Sequence, residues 1–135
     1  MLPILLLPFL LSSFTYQLPV NKCALFIQSK VVTATAYTSS VNETDNDPWT
    51  AAWNNKLKPG DKIIAVSRDL ERLGLGNGTL VYVQGLGFFT VKDRMNKRKR
   101  GCIDIWFETD KKAALNFGKR KLRIYWVKDL CGEES

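Results

Sequence analysis

The stretch CIDIWF at residues 102–107 decides the fold, because its side chains follow the two-residue period of an extended strand. Successive side chains of a strand point to opposite faces. Ile103, Ile105 and Phe107 therefore share one face, and Cys102, Asp104 and Trp106 the other. Five further runs have the same β-branched and aromatic character: 31–38 (VVTATAYT), 62–66 (KIIAV), 79–83 (TLVYV), 88–91 (FFTV) and 122–127 (LRIYWV). Turn residues punctuate them in chain order, with Pro59 and Gly60 before the second, Gly85 and Gly87 between the third and the fourth, and Gly101 before the fifth, residues 102–107. One helix is predicted after Thr109 or Asp110 as N-cap, closed by Gly118, and residues 68–73 allow another helical turn before Gly74. Six short strands with one or two short helices predict a mainly β protein, a closed barrel or a sandwich.

A chain of 135 residues with 45% hydrophobic residues holds one core. Residues 2–11 (LPILLLPFLL) are an uninterrupted apolar run, and no charged side chain occurs before Asn21. The run is short for a membrane span and is followed by Ser12, Ser13 and Thr15. It predicts a signal peptide or membrane-anchoring segment over residues 1–20, and hence an exported protein of the periplasm or cell envelope. Membrane contact is expected only through that segment. The organised unit then spans 31–128, with 129–135 as a tail.

The chain contains no histidine, which removes Ser-His-Asp and Cys-His catalysis because no imidazole is present to accept the proton. Cys23, Cys102 and Cys131 show no Cys-x-x-Cys spacing, so with no histidine the ordinary ligands of a zinc site are too few. Neither a metal nor a cofactor is called for. In an oxidising compartment one pair of cysteines can bridge and leave the third over, and spacing does not choose the pair. Acid–base chemistry must fall to carboxylates, Lys or Tyr.

Asp104 lies among apolar neighbours on its face of the strand, where loss of water would hold its proton more firmly, as a general acid requires. On a solvated edge it would be an ordinary surface carboxylate. Asp93 ends the preceding strand, and residues 94–101 (RMNKRKRG) reverse the chain, bringing the two carboxylates toward each other. Lys92, Arg94, Lys97, Arg98, Lys99 and Arg100 form a dense basic cluster suited to an anionic envelope polymer, a solvated loop or nucleic acid. Trp49, Trp53 and Trp106 offer faces for pyranose rings, although Trp106 and Trp126 are expected in the core.

Taken in order, residues 32–38, 50–52 (TAA), 57–60 (LKPG), 64–66 (IAV), 75–79 (LGNGT), Asp93, 101–104 (GCID) and 117–126 (FGKRKLRIYW) resemble a known family. It is the three-aspartate (3D) domain of bacterial cell-wall proteins, also the catalytic domain of the membrane-bound lytic transglycosylase A family. The resemblance runs from about residue 31 to residue 128. It implies a six-stranded double-psi β-barrel acting on peptidoglycan glycan strands. It assigns Asp104 as the acid and then base that protonates the glycosidic oxygen and helps the muramic acid 6-hydroxyl close a 1,6-anhydro ring. Asp93 assists. Tyr37, Thr38 and Thr50 become candidates for the groove wall, Ser67 and Asp69 for the position of the family's first aspartate, and Lys97 and Arg98 for contacts from the basic loop. Two departures stand out: Ser67 occupies the usual place of that first aspartate, and Asp93 is followed by Arg94, Met95 and Asn96 rather than by Thr-Gly-Gly.

Three functions follow in order of expectation. The first is a lytic transglycosylase-like enzyme with Asp104 and Asp93 at its centre. The second is a non-catalytic module binding cell-wall polysaccharide. The third, nucleic-acid binding through the basic loop, requires that the N-terminal segment not direct export.

Overall fold

The computed structural model describes residue 3, residues 25–40 and residues 47–129. The predicted leader, the tail beyond Asp129, and Cys23 and Cys131 lie outside the described residues. Six strands close into a barrel: β1 (Leu25–Tyr37), β2 (Ile63–Val66), β3 (Leu80–Val83), β4 (Gly87–Arg94), β5 (Cys102–Trp106) and β6 (Arg120–Asp129). Around the barrel the order is β1-β5-β2-β4-β3-β6. The β1/β5 and β2/β4 pairs are parallel and the other four antiparallel, so the wall is mixed. This is the mainly β, six-stranded architecture expected of a double-psi barrel. Two helices accompany it, α1 (Arg68–Arg72) and α2 (Lys111–Phe117).

The alternation read in residues 102–107 is realised in the packing. Ile103 and Ile105 point inward and are buried with Val32, Ile64, Val66, Val81, Val91 and Ile124. Side chains of this size each contribute about 1.5–3 kcal/mol on full burial. Leu70 of α1 and Phe117 of α2 join the same core, which explains why so short a helix as α1 is stable: its apolar side chain is fully buried. α2 has the predicted caps. Asp110 accepts a hydrogen bond from the Ala113 N–H at 3.0 Å, and Gly118 takes the left-handed φ of 65° that a side chain would resist.

Trp106 and Trp126 are buried as expected, but Trp106 belongs to a second, smaller core on the outside of the barrel. There it meets Leu57 and Ile63, with Trp49 edge-on at 5.9 Å between ring centroids. Its indole N–H donates to Ser39 Oγ at 2.9 Å, and that hydroxyl donates to the Pro48 carbonyl at 2.6 Å. The polar segment 47–57 is therefore a packed flap over the outer face of β2 and β5. Asp47 pins its start, accepting from the Trp49 N–H and the Thr50 hydroxyl.

Several boundaries differ from the sequence reading: β4 runs on to Arg94, and β6 extends over Arg120–Asp129. β1 begins at Leu25 rather than Val31 because its first turns pair with the end of β6, from Leu25↔Asp129 onward, instead of burying side chains. β5 stops at Trp106, and the Phe107 N–H donates instead to the Tyr37 carbonyl.

Candidate functional site

Strand register builds the site. Ala65 of β2 is paired with Asp104 of β5 on one side and with Asp93 of β4 on the other, and Asp104 is paired with Thr35 of β1. Thr35, Asp104, Ala65 and Asp93 thus form one row across four strands. The two aspartates are separated by two strand spacings, roughly 9–10 Å between backbones. The small Ala65 side chain between them leaves room for a groove.

Asp93 reaches this face through an irregularity. The β2/β4 register slips between Ile64 and Ala65, passing from Ile64↔Val91 directly to Ala65↔Asp93 and leaving Lys92 out of the ladder. Val91 points into the core, so an unbroken strand would turn Asp93 inward as well. The extra residue rotates it outward into the row with Asp104. Asn55 secures the bulge by donating from Nδ2 to the Lys92 carbonyl at 2.8 Å.

Tyr37 spans the groove from β1. Its hydroxyl donates to Asp93 Oδ2 at 3.0 Å. The other oxygen, Oδ1, accepts from the backbone N–H of Ala52 in the flap at 3.0 Å and of Arg94 at 2.8 Å. Asp93 therefore acts as a hub joining β1, β4 and the flap. Burial pushes the Tyr37 hydroxyl far above the ordinary phenol range; the charge of Asp93, the hydrogen bond to it and the charge of Asp104 push the same way. Tyr37 stays protonated and serves as a fixed donor rather than a base. Asp104 accepts from the Thr35 hydroxyl at 3.0 Å.

The resulting groove has a volume of about 300 Å³ and is lined by Tyr37, Ala65, Asp93, Arg94, Met95, Asn96, Lys99 and Asp104. Arg94 is held at its edge. Its guanidinium makes a bidentate pair with Glu71, Nε to Oε2 at 2.9 Å and Nη2 to Oε1 at 2.6 Å, and lies over the Trp53 ring at 4.8 Å. The hydrogen bonds from Arg94 hold the Glu71 carboxyl below its ordinary range.

The other residues singled out from sequence sit elsewhere. Thr38 and Ser67 are buried, at 1% and 0% exposure, out of reach of a polymer in the groove. Ser67 Oγ accepts from the Cys102 N–H at 3.1 Å, and Asp69 Oδ2 accepts from the Gly101 N–H at 2.8 Å, so both fasten the start of α1 to the start of β5. Burial works against the charge on Asp69, but hydrogen bonds from Ser67 and Gly101 outweigh it and hold the carboxyl below its ordinary range. Thr50 is tied to Asp47 and Lys56 in the flap. Trp49 and Trp53 are engaged by Trp106 and Arg94.

In the basic loop, Lys97 and Arg98 are exposed but do not line the groove, whereas Lys99 does. Asn96 sets this arrangement, its Oδ1 accepting from the Arg98 N–H and its carbonyl from the Lys99 N–H. Thr35, Ala65, Met95 and Asn96 are site residues that sequence reasoning missed, and Lys99 was read only as one of the basic cluster. Strand pairing would have identified the first two, and the Asx-turn signal of Asn96 would have picked out that residue and Lys99. Cys102 is a free thiol, its Sγ 3.0 Å from the Arg100 carbonyl.

No family model matches the chain, and no curated protein matches it. The solved structures to which it is similar include two that match over 75% of this chain. One is the apo form of an expansin from Clavibacter michiganensis, at 20% identity, a TM-score of 0.52 and coverage of 51% of that protein. The other is an aspartate-to-asparagine mutant of Clavibacter michiganensis expansin in complex with cellohexaose, at 19% identity, a TM-score of 0.50 and coverage of 50%. The chain spans about half the length of these structures. At this level of identity the likeness is one of fold, and it agrees with the closed six-stranded barrel described above.

Proposed function

We propose that this barrel binds a strand of cell-wall polysaccharide in the groove between Asp93 and Asp104, as a recognition module rather than a hydrolase. The observation that carries this reading is how Asp93 is used. Both of its oxygens are engaged by three internal donors, so it holds the groove together. Glycoside hydrolysis ordinarily requires two working carboxylates, one to protonate the leaving oxygen and one to handle water or the sugar carbon. The groove is lined besides by Asp104, by the polar side chains of Asn96 and Lys99, and by Ala65 and Met95 as an apolar floor. That mixture suits sugars, which present hydroxyls at their edges and C–H groups on their faces. The cellohexaose held by one of the similar structures also supports a polysaccharide ligand. The resemblance of the sequence to the 3D domain makes peptidoglycan the first candidate.

One observation favours a second reading, lytic transglycosylase chemistry at Asp104. Such a reaction needs a single carboxylate, which gives its proton to the glycosidic oxygen and receives one from the 6-hydroxyl as that oxygen attacks the anomeric carbon. Asp104 is held in the groove by Thr35 at 3.0 Å, as a residue in that role would be.

Sedimentation with purified cell wall, followed by mass spectrometry of the soluble fraction, separates the two. Binding without chemistry predicts that the protein sediments with the wall, releases no 1,6-anhydro products, and loses retention in Asp104→Ala and Ala65→Leu. Release of 1,6-anhydro products that disappears in Asp104→Asn would replace the first reading with the second. A protein that stays in solution at low salt would sink both.

A further inference from the structure

The side of the barrel away from the groove has a different character. The groove centres on β5 and β2, and in the closed strand order β3 and β6 lie diametrically opposite. On their outer surface Phe88, Tyr82 and Tyr125 form one row across three strands through the pairs Tyr82↔Phe88 and Tyr82↔Tyr125. Their ring centroids are 5.2 and 6.1 Å apart. Ile27, Val127 and Leu80 lie beside this row, two residues along their strands, and the six side chains line most of an apolar depression of about 530 Å³. Leu80, Phe88 and Ile27 are 58%, 59% and 77% exposed, which is unusual for neighbouring large apolar side chains on a protein without a partner for them.

The charge on the strands that form this surface is mainly positive. Strands β1, β3, β4 and β6 carry seven cations, Lys30, Lys92, Arg94, Arg120, Lys121, Arg123 and Lys128, against two carboxylates, Asp93, which turns to the groove, and Asp129 at the end of β6. A second copy docking through the same face would set cations against cations. A polysaccharide would find few hydrogen-bonding groups in a lining that is mostly apolar. An anionic bilayer satisfies both features, because apolar side chains enter the acyl boundary, Tyr rings sit at headgroup level and Lys and Arg meet phosphates. In sequence, the apolar run of residues 2–11 precedes β1, the strand that supplies Ile27 to the depression.

We infer that this apolar face rests on an anionic membrane surface, leaving the groove turned away from the bilayer. Membrane contact then extends beyond the N-terminal segment expected from the sequence. The docking does not depend on what the groove binds, but it orients the groove toward material lying above the membrane.

Because residues 1–20 by themselves give the chain a route onto vesicles, the test must report on position. Carbene footprinting of the full chain, read by mass spectrometry, is carried out with phosphatidylcholine–phosphatidylglycerol vesicles and with phosphatidylcholine alone. Labelling of residues 79–83, 87–90 and 123–127 is expected to fall several-fold on anionic vesicles, while residues 94–101 label as before. The double variant Leu80→Ser, Phe88→Ser changes two exposed side chains and should keep the wild-type circular dichroism spectrum while losing that protection. Unchanged labelling on anionic vesicles overturns the inference, as does equal protection by uncharged ones. Protection that appears without lipid as protein concentration rises would identify a second copy as the occupant, and protection by cellohexaose or wall glycan alone would identify a sugar; either result overturns it.

Discussion

Replacing Asp93 by Ala is the perturbation whose consequence the structure defines most closely. The change removes the acceptor of three hydrogen bonds: the Tyr37 hydroxyl at 3.0 Å, the Ala52 N–H at 3.0 Å and the Arg94 N–H at 2.8 Å. A buried donor left without an acceptor costs about 1–3 kcal/mol. The site is only partly buried, so water entering from the groove recovers some of this, and the net loss is about 3–5 kcal/mol. For a domain of this size that corresponds to a fall in Tm on the order of 20 °C. Asp93→Asn behaves differently. Its remaining carbonyl oxygen can keep both N–H donors, and the Tyr37 hydroxyl can turn to accept from the new amide. What is lost is the charge assistance, about 1 kcal/mol. Urea unfolding followed by Trp fluorescence measures both, with an unchanged m-value showing that the unfolded states are comparable. An Ala variant within about 0.5 kcal/mol of wild type, or an Asn variant as damaged as the Ala one, would refute the hub role assigned to Asp93.

Other outcomes follow from the same geometry. Ala65→Leu fills the floor of the groove and is expected to weaken wall retention by about tenfold or more, at a cost in stability of about 1–3 kcal/mol from overpacking; sedimentation and thermal melting report the two effects separately. Glu71 is held below its ordinary range by Arg94, so the pair adds stability above the unfolded Glu value of about 4.3, and this is lost as pH falls through the folded value. Glu71→Gln should therefore flatten the acid side of the stability curve, and an acid limb identical to wild type would contradict it. Lys99→Ala is expected to lower retention on an anionic wall and to reduce its salt dependence more than Lys97→Ala does, because Lys99 lines the groove; equal effects would count against the loop geometry.

The strands were legible because each is a β-branched or aromatic run between turn residues, and α2 because Asp110 and Gly118 mark its ends. Alternation alone put Ile103 and Ile105 on one face of β5 and Asp104 on the other, and the packing shows that the isoleucine face is the inward one. Other features leave no compositional trace. The bulge at Lys92 is a single extra residue, yet it decides which way Asp93 points. Ser67 and Asp69 have the appearance of site residues in sequence, but their hydrogen bonds serve the junction of α1 with β5. The choice of Lys99 over Lys97 and Arg98 depends on a turn at Asn96 that a run of cations obscures. Trp106 was expected in the core, and no periodicity could have shown that the core it fills lies outside the barrel under the flap.

The central claim is that a polysaccharide strand lies in the groove along the row Thr35, Asp104, Ala65 and Asp93. Its most direct test is an NMR titration of the labelled protein with soluble cell-wall glycan fragments. Amide shifts are predicted at Thr35, Ala65, Met95, Lys99 and Asp104, with Tyr82 and Tyr125 on the opposite face unmoved. Shifts confined to that opposite face, or none at glycan concentrations that compete the protein off the wall, would contradict it.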